Sequence, residues 1–206
     1  MNTDKTAVII LSGGNSSRMN YPKAFLSIGK KTLAESLSSI YFELGIQKPI
    51  IVLNSILYNE KWAETISRLS VNNTVLKNKF TELGRSYSIS LGLKEVKDEQ
   101  GCFIQNIDNP DISAALLNNM VANLKDDSYV VPANNGINGH PILLGKNVIN
   151  HLKNLQNNDW ILKEELKKFK KIQVEAPENK VLLNLNTEAD WKMYTESMQN
   201  KSVQLN

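Results

Sequence analysis

The residues best suited to chemistry in this chain sit where apolar runs end. Ser12, Gly13 and Gly14 follow the unbroken apolar residues 8–11, and small residues at such a point let the backbone turn sharply and aim successive N–H groups at an anion. Arg18 and Lys23 come next. A guanidinium and an ammonium are what a polyphosphate needs once the backbone donors are used, although an ordinary strand-to-helix turn would also carry two glycines. Asp108 ends a second apolar stretch, containing Phe103, Ile104 and Ile107. A carboxylate at the carboxyl end of a buried strand lies where open α/β sheets bind their ligands, and an Asp ahead of Pro110 could also cap a helix starting near Asp111. Ser86 and Ser88 open a segment whose Ile89, Leu93 and Val96 recur at helical spacing, so their hydroxyls can face a ligand or simply cap the helix. His140 beside Pro141 can anchor a turn or serve a substrate, whereas His151, on a polar helix face, reads as surface.

Two familiar phosphate loops are absent from the sequence. Gly29, Lys30, Lys31 and Thr32 are preceded by Ala24 where a Walker A loop requires glycine, and no G-x-G-x-x-G dinucleotide fingerprint occurs. With 206 residues, 41% hydrophobic and 22% charged, the chain has the composition of one globular domain able to bury a substantial core. A net charge of +3 is too small to argue for a nucleic-acid partner. The lone Cys102 excludes an internal disulfide and a cysteine-built metal site. The first apolar run is too short for a signal-peptide core or a membrane span, which leads to the expectation of a cytoplasmic protein with no membrane partner.

The elements that must position these residues can be read in order. Residues 8–11 lack polar alternation, the pattern of a strand buried on both faces of a parallel sheet. Thr32 and Glu35 form a capping box for a helix carrying Leu33, Leu37, Ile40, Tyr41 and Leu44, which stops at Gly45. A strand over residues 50–53, a helix with Trp62, Ile66 and Leu69, and a short strand at Val75 and Leu76 continue a βαβαβ order, which predicts a doubly wound parallel sheet. Further on, Val130 and Val131 read as a strand, residues 134–139 as a turn and residues 142–144 as another strand. Two amphipathic helices come next, the second capped by Asp159 and carrying Leu162, Leu166 and Phe169; its lysines read as a solvated face. Strands over residues 172–174 and 181–185 precede a helix capped by Thr187 and Asp190.

Taken together these motifs resemble, in the right order from Leu11 to Asp190, the molybdenum-cofactor nucleotidyltransferases of the molybdopterin cytidylyl- and guanylyltransferase type. The segment Leu11, Gly13, Gly14, Ser16 or Ser17, Arg18, Met19 and Lys23 is similar to the L-x-G-G-x-S-x-R-M-x-x-x-K signature, with Asn20 in place of the usual glycine. The segment from Gly84 to Leu93 resembles a serine-rich motif near the nucleotide base. Asp108, Asn109 and Pro110 resemble the D-x-P motif, with Asn109 where Gln or Thr is common. Gly139, His140 and Pro141 resemble an acceptor-side motif, with Asn138 where Arg is usual. Asn184, Leu185, Asn186 and Thr187 resemble a D-I-D-T segment whose two acids are both Asn, as in guanylyltransferase-like members.

The resemblance implies a three-layer α/β/α, Rossmann-like fold with a mostly parallel central sheet. A single domain over 1–206 would bind nucleotide in its N-terminal half and acceptor in its C-terminal half. It implies a Mg²⁺-dependent enzyme that moves a nucleoside monophosphate from CTP or GTP to a phosphorylated acceptor, molybdopterin cofactor in the first instance, and releases pyrophosphate. A sugar, polyol or choline phosphate acceptor, or nucleotide binding without turnover, stays open on the residues alone. Leu11, Ser12, Gly13, Gly14, Arg18, Lys23, Ser86 and Ser88 would bind the nucleotide, Arg18, Lys23 and Asp108 would serve catalysis, Asp108 and Asn186 would hold the metal, and Asn138 and His140 the acceptor. A molybdoenzyme or its chaperone is the protein partner that such a product implies.

Overall fold

The computed structural model describes residues 5–14, 19, 21–176 and 179–203, with side chains as far as residue 198. Strand β1 (Thr6–Ser12) is buried along its whole length. Its aliphatic residues can tolerate that only with a neighbour on each edge and helices on each face, and it has all four. Strands β4 (Ile50–Asn54) and β6 (Gly101–Asn106) flank it in parallel register, Leu11 standing opposite Val52 and Asn106. Strand β5 (Thr74–Asn78) extends the sheet beyond β4. On the other side lie β7 (Ser128–Asn134), β9 (Ile142–Gly145) and β10 (Lys170–Glu175), so the order is β10-β7-β9-β6-β1-β4-β5. Only β9 in that order runs against its neighbours. The two-residue β8 (Ile137–Asn138) folds back on β7, and β2 (Ser27–Ile28) with β3 (Lys31–Thr32) makes a small separate hairpin.

Alternate residues of β1 feed two cores. Val8 and Ile10 pack with Leu33, Leu37 and Tyr41 of α1 (Leu33–Glu43), Leu69 of α2 (Ala63–Asn72), Leu117 and Met120 of α4 (Ala114–Asn123), and Tyr194 of α7 (Glu188–Val203). Ile9 and Leu11 pack with Ile89 and Leu93 of α3 (Gly84–Glu95), Val148 and Leu152 of α5 (Lys146–Lys153), and Leu162 and Leu166 of α6 (Leu162–Leu166). The period-two alternation of a strand thus generates the three-layer α/β/α, Rossmann-like fold. The Thr32–Glu35 capping box forms in both directions, Glu35 N–H donating to Thr32 Oγ1 at 3.2 Å and Thr32 N–H to Glu35 Oε2 at 2.7 Å.

Several boundaries differ from the sequence reading. Helix α6 begins after Ile161 with no side-chain cap, so Asp159 does not cap it, and Phe169 lies beyond its end. Helix α4 is capped by Ser113, whose hydroxyl accepts the Leu116 N–H, rather than starting near Asp111. Residues 181–185 are not a strand: a 3-10 turn (Asn179–Leu182) leads into chain without regular structure. Val181 and Leu185 are still buried, with Leu182 and Leu183 partly so, because single backbone bonds to neighbouring turns replace a ladder, His140 N–H to Val181 O at 3.1 Å and Leu185 N–H to Asp108 O at 2.8 Å. His151 is not plain surface. It is half-buried, 2.6 Å from Glu165 Oε2 and edge-on to Phe169.

Candidate active site

A cleft of about 490 Å³ opens at the carboxyl ends of β1, β5 and β6, and Leu11, Ser12, Gly13, Gly14, Lys23, Ser88, Asp108 and Asn186 of the expected residues line it. The strand register dictates the meeting of the first two groups. Leu11 pairs with Asn106, and the Ile107 N–H donates to Leu11 O at 3.1 Å, so the Gly13–Gly14 turn and the Asp108 turn leave the sheet side by side. Gly13 is needed for close approach: a Cβ there would lie 2.7 Å from Ser88 Oγ. That hydroxyl is itself fixed, accepting from Asn78 Nδ2 at 2.9 Å, while the fully buried Asn78 accepts from the Phe80 N–H at 2.8 Å.

Lys23 sits at the first position of a 3-10 turn (Lys23–Phe25) behind Pro22, whose φ of −60° suits a helical start. Ala24 and Phe25 are sunk in the core, Phe25 against Trp62, and this anchors the lysine stem. Its ammonium donates to Asn186 Oδ1 at 3.2 Å and lies 3.6 Å from Asp108 Oδ2. Three residues far apart in sequence therefore converge on one point. Asp108 reaches it through the turn after β6, which Gln105 braces from within: Tyr41 Oη donates to Gln105 Oε1, and Gln105 Nε2 donates to the carbonyls of Asn106 and Asn109, all at 2.8 Å. Asn186 reaches it from the start of α7, where Asp190 Oδ2 accepts the N–H groups of Asn186 and Thr187 at 2.9 and 2.8 Å. Those bonds lower the Asp190 pKa.

Cavity residues not assigned from the sequence are Thr81, Arg85, Asn106 and Ile107, and Gly84, which opens the serine-rich segment, lines the cleft with them. Gly84 holds φ at +76°, a conformation open to glycine and strained for other residues, and so starts α3 with Arg85 directed to the cleft. Arg85 is reached by solvent through the cleft mouth yet crowded by protein. That crowding lowers its pKa, the Asp108 charge acting in the opposite sense; a guanidinium remains charged regardless. Helical phase is the signal that could have found it: Gly84, Arg85 and Ser88 share a face, and Ser86 turns away. The Ser86 hydroxyl donates to the Asn158 carbonyl and does not line the cleft.

His140 and Asn138 also lie outside the cleft lining. His140 Nε2 is 3.3 Å from Asn106 Nδ2, an N–H donor, so Nε2 accepts and the proton sits on Nδ1, which is buried without a partner among the described residues. Burial and the nearby Arg85 charge push its pKa down to about 4, Asp108 opposing. The ring is neutral at pH 7 and, among the described residues, connects to the cleft lining through Asn106. Asn138, on β8, is exposed and accepts from Gln173 Nε2 at 2.6 Å. Ser16, Ser17 and Arg18 lie outside the described residues.

The residues at the convergence point suit a hard divalent cation. Asp108 and Asn186 both present oxygen and already share one cation, the Lys23 ammonium. No cluster of three or more His, Cys, Asp or Glu exists among the described residues, so a metal here would draw its remaining ligands from phosphate oxygens and water, as Mg²⁺ commonly does.

Comparison with known proteins bears on the family and the fold that carry this cleft. Residues 8–172 match the family model of the MobA-like NTP transferase domain. The molybdenum cofactor cytidylyltransferase of Escherichia coli strain K12 is 28% identical over 138 residues, 67% of this chain and 69% of that protein. The crystal structure of Rv0371c from Mycobacterium tuberculosis H37Rv superposes with a TM-score of 0.77 at 19% identity, covering 93% of this chain and 97% of that one. Its complex with manganese superposes with a TM-score of 0.69 at 16% identity over 93% and 97% of the two chains.

Proposed function

The chain belongs to the MobA-like NTP transferase family, and from that premise we propose that it transfers CMP or GMP from the NTP to molybdopterin cofactor. The observation that carries this reading is the meeting of Lys23, Asp108 and Asn186 at one point of the cleft beside the Gly13–Gly14 turn. An oxygen of the acceptor phosphate attacks the α-phosphorus, the bond from that phosphorus to the α,β-bridging oxygen breaks, and pyrophosphate leaves with the electron pair. Such a displacement needs positioning and charge neutralisation more than covalent help.

Each residue then has a task. The Gly13–Gly14 backbone and Lys23, with Arg18, grip the triphosphate, and Arg85 and Ser88 close the nucleotide end. Asp108 and Asn186 would hold Mg²⁺, which when bound would neutralise charge on the phosphate oxygens. The turn over residues 134–139, with Asn138, borders the acceptor, and His140 acts on that side through Asn106. No helix among the described residues is long and apolar enough to cross a membrane, and a cytoplasmic site of action goes with this reading.

Pyrophosphate release with CTP, GTP, ATP and UTP, with and without molybdopterin cofactor, tests it directly. Release that requires both CTP or GTP and the cofactor is the expected result. Release supported by a sugar, polyol or choline phosphate in its place would replace the acceptor while keeping the chemistry, and NTP binding with no release in any combination would refute turnover.

A further inference from the structure

The cleft depends on two chain segments that no strand pairing joins, the turn bearing Asp108 and the irregular stretch bearing Asn186. We propose that Asn109 is the positioning residue that sets their separation, with Asn184 as its receiving partner, and so sets metal affinity; this rests on the metal reading of Asp108 and Asn186 given above.

Asn109 is buried to 2% exposure, and its carboxamide bonds in three directions. Its Nδ2 donates to Leu183 O at 2.6 Å and to Asn184 Oδ1 at 2.8 Å, while its Oδ1 accepts from Asn106 Nδ2 at 3.0 Å. The same Asn106 amide gives its other N–H to His140 Nε2. Asn109 therefore stands at the crossing of a chain of neutral groups running from His140 to Asn184, adjacent in sequence to Asp108 and within three residues of Asn186 at its far end. Both N–H groups are spent on the segment that carries Asn186.

The location matters because the other ties to that segment are backbone bonds at different points. Leu185 N–H reaches Asp108 O and His140 N–H reaches Val181 O, so the segment stays attached when Asn109 is truncated, but residues 183–184 lose their only described side-chain anchor to the Asp108 turn. Asn186 is then held to Asp108 by fewer bonds, those of the Leu185 N–H and the shared Lys23 ammonium, and its distance from the carboxylate is less narrowly set. A carboxamide suits this role because it donates twice and accepts at the other end without bringing charge next to Asp108. Asn184, in turn, spends its Oδ1 on Asn109 and its Nδ2 on Leu182 O at 3.1 Å. It serves the strut rather than the metal.

The test uses the full chain, Mn²⁺ as the probe and water-proton relaxation, which rises when the ion becomes protein-bound, measured with and without CTP. Asn109→Ala should weaken Mn²⁺ binding about five- to tenfold and Asn184→Ala about threefold, as expected for cutting two and one, respectively, of the hydrogen bonds that join Asn109 to residues 183–184. The double variant should be little weaker than Asn109→Ala, because the bond between the two residues is shared and the other bond Asn184 loses, to Leu182 O, lies within its own segment. Asn184 is exposed, so its variant decides the matter if Asn109→Ala does not fold. Asp108→Asn is the control for the underlying reading. Loss of binding in Asp108→Asn with wild-type binding in Asn109→Ala or Asn184→Ala would overturn the positioning role alone, even if their melting temperatures fall. Wild-type binding in Asp108→Asn would overturn the metal reading and this inference with it.

Discussion

Replacing Lys23 by Met keeps the stem that packs beside Ala24 and Phe25 and removes only the ammonium. That charge lies 3.6 Å from Asp108 Oδ2 and 3.2 Å from Asn186 Oδ1. At an effective dielectric of about 20 the pair with Asp108 is worth about 4 to 5 kcal/mol of gross attraction. The net value is smaller, because the Lys23 and Asp108 side chains, 11% and 27% exposed, give up hydration to meet. Stability should therefore change by only about 0 to 1 kcal/mol, as for pairs with access to water. Nucleotide binding should suffer more. A triphosphate presents several charges to this ammonium, and one lost charge-assisted bond costs about 2 to 3 kcal/mol, roughly a 30- to 150-fold rise in Kd. Calorimetric titration with Mg·CTP and Mg·GTP, beside a thermal melt of the same preparation, measures both quantities. Equal NTP affinity in Lys23→Met and wild type would remove Lys23 from the phosphate site, and a large loss of melting temperature would show that the ion pair holds the fold rather than the ligand.

Other perturbations have equally definite outcomes. Gly13→Ala should cost about 1 to 3 kcal/mol, since the new methyl meets Ser88 Oγ at 2.7 Å and Asn78 holds that hydroxyl; in denaturant titrations Gly13→Ala/Ser88→Ala should be little worse than Ser88→Ala alone. Because His140 is pushed down to about 4 from an ordinary 6.5, the unfolded chain binds the extra proton between those values, so stability is full above pH 6.5 and falls as pH drops toward 4. His140→Gln should flatten that part of the curve, by roughly 2 to 3 kcal/mol at most, and an unchanged slope would refute the buried neutral ring. Asp108→Asn should abolish pyrophosphate release with the fold intact, while Asn186→Asp should keep it and lower the Mg²⁺ concentration required. An active Asp108→Asn protein would place the metal elsewhere.

What the sequence made legible was whatever a local pattern encodes. The unbroken apolar residues 8–11 announced a strand covered on both faces, and Thr32 with Glu35 announced a helix start that forms as a reciprocal cap. Direction was not encoded. Residues 142–144 read as a strand, but nothing in a short apolar run says that β9 must run against β6 and β7. Residues 181–185 read as a strand because burial on both sides selects the same side chains whether a ladder or isolated bonds hold the backbone. Within the site, Asp108 and Asn186 stand on motifs, whereas Arg85 was hidden in a segment read for its serines. The partnership of Asn109 with Asn184 spans 75 residues and has no local signature, since an asparagine beside Pro is equally at home in any turn.

The charges at the cleft explain why an amide can stand where a second carboxylate might. Among the described residues that line it, Lys23 and Arg85 face the single carboxylate of Asp108, and Asn186 adds an oxygen without a charge. A divalent ion arriving alone meets repulsion from two cations and must displace the Lys23 ammonium from its oxygens, gaining one anion in return. An ion arriving on a triphosphate brings the anion that Lys23 and Arg85 lack, so the ammonium exchanges one partner for another and no buried charge is left unpaired. A carboxylate at residue 186 would shift that balance toward bare metal and would hold Lys23 more firmly away from phosphate. Under the proposed reaction, the neutral side chain leaves the lysine freer to serve the nucleotide, and the weaker metal site is its consequence.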